Sequence, residues 1–226
     1  FWIHDFEFTF GAGASLDIQE TNALFRDAFA AVWSGQAEND AFNRLVLLAG
    51  LPWRDVALLR AYARYLKQIR LGFELPYIAS TLVAHADIAR ELVRLFRTRF
   101  YLARKLSADD LAEMQGKLER AILGALDDVA VLNEDRILRR YLDLIKATLR
   151  TNFYQNDDEG DARDYLSLKF DPTQIPELPL PRPMFEIFVY SPRVEGVHLR
   201  GGKVARGGLR WSDREEDYRT EVLGLV

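Results

Sequence analysis

"FEIFVYSPRVEGVHLRGGKVARGGLRWS", residues 185–212, is where this chain changes character. Its opening, Phe185 to Ser191, is a run of β-prone apolar residues that reads as a fully buried strand, and Val194 to Gly202 reads as its neighbour. Paired glycines at 201–202 and 207–208 mark tight turns. Ser212 with Glu215 forms the pattern of a capping box for a helix over residues 213–226. Strand, strand, glycine turn and helix together are expected to open an α/β unit.

Immediately upstream the pattern is different. "DPTQIPELPLPRPM", residues 171–184, holds five of the chain's eight prolines, too many for a helix, and is expected to be extended. Before it, "NDDEGDARD", residues 156–164, has the acid and glycine content of an exposed loop. A domain boundary is therefore expected across 153–183 as a linker. Still earlier the apolar spacing is helical. Leu24, Phe25, Ala28, Phe29 and Val32 follow a possible Asp17–Glu20 capping box, and a short helix near Phe42, Leu45, Val46 and Ala49 ends at Gly50 and Pro52. Val56, Leu59, Ala63, Leu66 and Ile69 mark one apolar face, and Ile88, Leu92, Leu95, Phe96 and Phe100 another. Ser107 with Asp110 starts a helix running to Val129, and Asn133 is expected to cap one running to Leu149.

The expected fold class is thus α+β, predominantly α. A helical bundle-like region over 15–152 precedes the first strands and helix of a second unit over 184–226. Residues 1–14 open on "FWIHDFEFTF", where Phe6, Phe8 and Phe10 alternate with polar residues as in a half-buried strand, so they are expected to belong to an upstream sheet. That opening has neither a basic leader nor an initiating Met, and "EVLGLV" ends on an apolar helix face. Both suggest a piece of a longer polypeptide.

Composition narrows the function classes. With 49% hydrophobic residues, 14 Phe, 9 Tyr and 4 Trp, the chain can bury a core and is not a disordered tail. A net charge of -4 supplies no chain-wide attraction to nucleic acid or to an anionic membrane. The lack of cysteine excludes disulfides, thiolate metal sites and a cysteine nucleophile, and fits a reducing cytoplasm. Its three histidines, His4, His85 and His198, show no ligand spacing, so no metal is expected. Arg139 and Arg140 read as the exposed face of a helix, and Phe96, Phe100 and Tyr101 as core.

The chemistry-bearing stretch is residues 201–212. As a phosphate cradle it is poor, because it matches neither GxxxxGK[ST] nor GxGxxG. Arg-Gly-Gly occurs at 200–202 and at 206–208, but RNA-binding tracts of that kind are repetitive and disordered, and here the flanks are apolar. A carboxylate clamp uses the residues better. Gly207 and Gly208 let a ligand approach the backbone, while Arg206 and Arg210 bracket them with guanidinium forks suited to carboxylate oxygens.

"ARGGLRWSDREEDYRTEVLGL", preceded by "EIFVYSPRVEGVHLRGGKV", resembles the start of the catalytic domain of the large bacterial class of NAD-dependent glutamate dehydrogenases. The helical stretch "AFAAVWSGQAENDAFNRLVLLAGLPWRDVALLRAYARYL" resembles the same class. Residues 206–210 are also similar to the K-G-G-[IL]-R motif of the smaller glutamate dehydrogenases, placed between a strand and a helix. The resemblance implies oxidative deamination of L-glutamate to 2-oxoglutarate and ammonia, with hydride passed to NAD, by a homo-oligomer of the full-length protein. Arg206 then matches the Lys that binds the substrate's side-chain carboxylate, a change that keeps the charge and widens the fork. Gly207 and Gly208 permit close approach, and Arg210 matches the motif's own Arg, expected to serve positioning or an acidic protein partner, with substrate contact as the alternative. The family's catalytic lysine and dinucleotide-binding domain fall beyond Val226, so no catalytic or cofactor-binding residue is expected in these 226, and the piece alone is expected to be inactive. The alternative is that the helical region serves as an assembly or regulatory platform without chemistry of its own.

Overall fold

The structure is a computed structural model, and it describes residues 18–101, 106–210 and 218–226. The strand expected over 1–10, the Asp17–Glu20 cap and the Ser212–Glu215 cap lie outside the described residues.

Helix α1 (Ile18–Trp33) leads through a short 3-10 turn (Ala41–Arg44) into α2 (Leu45–Leu48), and Gly50 takes φ +61 where that short helix ends. Then come α3 (Trp53–Gln68), α4 (Leu75–Ala84), α5 (Ala86–Phe100), α6 (Ala108–Asp127) and α7 (Leu132–Ala147). Ser107 caps α6 as its sequence pattern requires, accepting a hydrogen bond from the Asp110 amide at 3.1 Å. Asn133 does not cap α7. Val131 occupies that position without a side-chain bond, and the helix stops at Ala147, because Thr148 and Leu149 leave it to start β1 (Thr148–Thr151).

Four further strands follow: β2 (Leu166–Phe170), β3 (Phe185–Tyr190), β4 (Glu195–Gly201) and β5 (Val204–Arg210), then the short helix α8 (Arg219–Leu223). All five pair antiparallel in the order β1-β2-β3-β4-β5, a meander in which each strand neighbours its successor. The α+β, mainly helical class is what the chain adopts. The stretch 153–183 is more than a spacer, since it supplies β2 and buries Ile175 and Leu178.

One face of the sheet carries Leu166, Leu168, Phe170, Phe188, Tyr190, Val197 and Leu199, all buried. Strand β3 therefore alternates between buried and half-buried residues instead of being buried throughout. Against that face lies α3, whose Tyr65 ring stacks on Phe170 at 4.4 Å and contacts Phe188 at 5.5 Å. Tyr62, fully buried beside it, meets Phe96, Tyr141 and Phe170. Helix α3 is buried on nearly every side, not on the single face its apolar spacing suggests, because its polar members are paired inside. Arg60 forks onto Asp40 at 2.7 Å through two nitrogens, and Asp55 meets Arg97. The same pairing overturns the exposed reading of Arg140, which is 7% exposed and bonds Glu177 and Asp143. Tyr101, expected in the core, is instead 46% exposed and packs on Tyr154.

Candidate functional site

The residues singled out in the sequence form a strand, not a turn. Gly202, at φ +61, and Lys203 make the two-residue hairpin loop, with Gly201 and Val204 closing it as partners. Strand β5 then runs back along β4 as the last strand of the described sheet, pairing Leu199 with Arg206, His198 with Gly207, Val197 with Gly208 and Glu195 with Arg210. Directly paired residues of antiparallel strands share a face. Val197 and Leu199 point into the core and His198 points out, so the register puts Arg206 and Gly208 on the face that carries α8, and Gly207 on the other.

The two glycines have different physical reasons to be there. A Cβ on Gly207 would sit 3.0 Å from the Val197 carbonyl oxygen and 3.2 Å from the His198 ring, too close for relaxed packing. On Gly208 it would meet only Val222 of α8, at 3.5 Å, an ordinary contact. Gly208, on the same face as Arg206, thus lies against α8 at a distance that a side-chain methyl would just fill. Arg206 is exposed; its Nη1 donates to the Ala205 carbonyl at 2.9 Å, and among the described residues it has no carboxylate partner. The side chain of Arg210 lies outside the described residues.

A buried charge pair holds the wall of this site, and the sequence reading did not find it. Arg219 of α8 and Glu186 of β3 are both 0% exposed and form a two-pronged pair, Nε to Oε1 at 2.6 Å and Nη2 to Oε2 at 2.8 Å. Glu186 pairs across the sheet with Leu199, which pairs with Arg206, so the ion pair and Arg206 lie on one transverse row. Gln68 at the end of α3 accepts the backbone amides of Tyr218 and Arg219, each at 3.2 Å. From the same helix, Arg64 bridges Glu38 at 2.9 Å and Glu195 at 3.6 Å. The face under β5 is therefore fixed by charges anchored in α3. The signal available in the sequence was a Glu inside an otherwise apolar strand, Phe185 to Tyr190, and it demanded a buried partner.

The described residues do not fit a dinucleotide. Every described strand is antiparallel, and the glycines of β5 lie within the ladder, whereas a pyrophosphate cradle needs a parallel strand, a glycine loop and a helix N-terminus in succession. Among the described residues no group of three His, Cys, Asp or Glu could hold a metal ion, and no helix is long and apolar enough to cross a membrane.

Comparison with known proteins agrees with this anatomy. Residues 121–226, covering α7, the whole sheet and α8, match the family "Bacterial NAD-glutamate dehydrogenase, catalytic domain", and residues 37–102 match "Glutamate dehydrogenase, helical motif 3". Over all 226 residues the chain is 76% identical to the NAD-specific glutamate dehydrogenase of Pseudomonas aeruginosa and 58% identical to that of Halomonas elongata, spanning 14% of the length of each. It is 50% identical over 203 residues, 89% of its length, to the NAD-specific glutamate dehydrogenase of Mycobacterium tuberculosis, of which it covers 12%. On both its helical and its sheet-bearing parts, the chain belongs to the bacterial NAD-glutamate dehydrogenase family.

Proposed function

We propose that the chain works as part of an NAD-dependent glutamate dehydrogenase that oxidatively deaminates L-glutamate to 2-oxoglutarate and ammonia, passing hydride to NAD. The observation that carries this reading is the exposed Arg206 on the last strand of the described sheet, without a carboxylate partner among the described residues. Arg206 binds the side-chain carboxylate of glutamate through its guanidinium fork. Gly208 keeps side-chain bulk away from Arg206, Gly207 keeps β5 close to β4, and Arg210 positions the strand. The general acid/base that serves the substrate's α-carbon, and the site that holds NAD, are contributed by other parts of the protein. In this reading the full-length protein is a cytoplasmic homo-oligomer.

One observation favours a second role for the helical region as an assembly platform. On α1, Phe25, Phe29 and Trp33 stack at successive four-residue intervals, with centroids 6.3 and 6.0 Å apart, and Trp33 is 83% exposed. That role is compatible with the enzymatic one.

The test is to incubate the full-length protein with 2-oxoglutarate, ammonium and NADH, and to follow the loss of NADH absorbance beside the 226-residue chain. The expected outcome is turnover by the long form alone. An intact long form that consumes no NADH would leave the platform as the functional part.

A further inference from the structure

A cavity of about 320 Å3 opens between the first turn of α3, the loop joining β1 to β2, and the turn after β3, none of which belongs to β5. Its size is near the lower bound of roughly 300 to 1,000 Å3 for small-molecule sites. Trp53, Phe153 and Tyr165 give it flat aromatic walls.

Two features of this cavity call for a negative oxygen. The first is Arg54, whose guanidinium lies over the Phe153 ring at 5.3 Å and donates one hydrogen bond to the Phe153 carbonyl at 3.2 Å. Burial pulls the pKa of Arg54 below its ordinary value, and the neighbouring Asp55 carboxylate, which opposes this, is already bonded to Arg97. The second is Arg163, whose Nε is buried without a hydrogen-bond partner.

The acids that line the cavity set the limit on charge. Asp164 is paired with Arg193 at 3.0 Å, and Asp161 is exposed. A polyanion would meet both acids; a single carboxylate together with that of Asp161 balances the two arginines. We propose that this cavity binds a small monocarboxylate with a flat apolar body, its carboxylate held by Arg54 and Arg163 and its body laid against Trp53, Phe153 and Tyr165. The site is independent of the glutamate reading and of every residue of β5.

The test uses the 226-residue chain with benzoate as probe, benzamide as its uncharged isostere and inorganic phosphate as an anion without a flat body. Thermal unfolding and saturation-transfer NMR report binding. Benzoate is expected to raise the unfolding midpoint saturably, with a Kd on the order of 1 mM, and benzamide to bind at least about tenfold more weakly. Arg163→Gln carries the test, because Arg163 sits on a loop outside the core, and should weaken benzoate about tenfold while leaving the ligand-free midpoint unchanged. Arg54→Gln, confirmed folded by circular dichroism, should act likewise. No saturable response, an equal response to benzamide, a response unchanged in Arg163→Gln, or phosphate binding as tightly as benzoate would each overturn the proposal.

Discussion

At the scale of the residue, the two glycines of β5 separate packing from function. Gly207→Ala drives a methyl group against the backbone of β4 and should cost about 1 to 3 kcal/mol of stability, measured by urea unfolding. Gly208→Ala meets only a side-chain methyl at van der Waals distance and should cost less than about 1 kcal/mol. In the full-length protein, however, it should raise the KM for glutamate, since it adds a methyl group on the face that carries Arg206. A Gly208→Ala protein with unchanged KM would place the substrate elsewhere.

Asp55 makes a different residue-scale point. It is 0% exposed, and although Arg97 bonds both its oxygens, burial has the larger effect and pushes its pKa up to about 6. A carboxyl with a folded value above its unfolded one binds more protons when folded. Its contribution to stability therefore falls as pH rises from about 4 to about 6 and is flat above that. Asp55→Asn removes this dependence. The stability of the native chain relative to the Asn variant should drop by up to about 3 kcal/mol between pH 3.5 and pH 7. A difference that rises across this range would show that the attraction of Arg97 outweighs burial.

At the scale of the element, α8 stays on the sheet through Glu186–Arg219 and the two amides accepted by Gln68. Glu186→Gln leaves a fully buried guanidinium facing a neutral group and should weaken the docking of α8 by about 3 to 5 kcal/mol. Replacing both partners, Glu186→Gln with Arg219→Met, should recover much of that loss. Hydrogen exchange of the Val222 and Gly224 amides, which bond Tyr218 and Thr220, reads the docking directly. Equal exchange in the single and double variants would mean the pair does not hold the helix.

The elements differ in how legible they were. Cap and period together made α6 readable from Ser107 and Asp110, and the helical face of α5 was equally clear. Strand β5 was not readable, because two adjacent glycines carry no side chains from which a period of two can be seen, and they suggested a turn. Helix α4, with Pro76 in its first turn and no charged residue within it, gave no amphipathic contrast to detect. Leu149 continued the apolar spacing of α7, but the β-branched Thr148 turns the chain into β1, a switch made by tertiary pairing with Phe170. Arg206, Gly207, Gly208 and Arg210 were readable as a motif. Which of them share a face became visible only from the register with β4.

At the scale of the whole molecule, helices and sheet meet through an aromatic cluster centred on Tyr62, Tyr65, Phe170 and Phe188. Phe170→Ala removes the ring on which Tyr65 stacks and should cost about 3 to 5 kcal/mol. Because the loss falls at the junction, helical circular dichroism and hydrogen exchange of the β3 and β4 amides should still report one shared transition at lower denaturant. Two separated transitions would show that the helical and sheet-bearing parts fold independently. This junction also explains why a helix as distant in sequence as α3 matters to β5: through Arg64, Gln68 and Tyr65 it sets the surface on which the motif strand and α8 rest.

The central claim is that Arg206 meets the side-chain carboxylate of glutamate. The most direct measurement is the steady-state kinetics of Arg206→Ala in the full-length protein, with glutamate and NAD varied in turn. Loss of a charge-assisted bond should raise the KM for glutamate by roughly 10- to 100-fold and leave the KM for NAD within about twofold. Equal effects on both substrates, or none on glutamate, would contradict it.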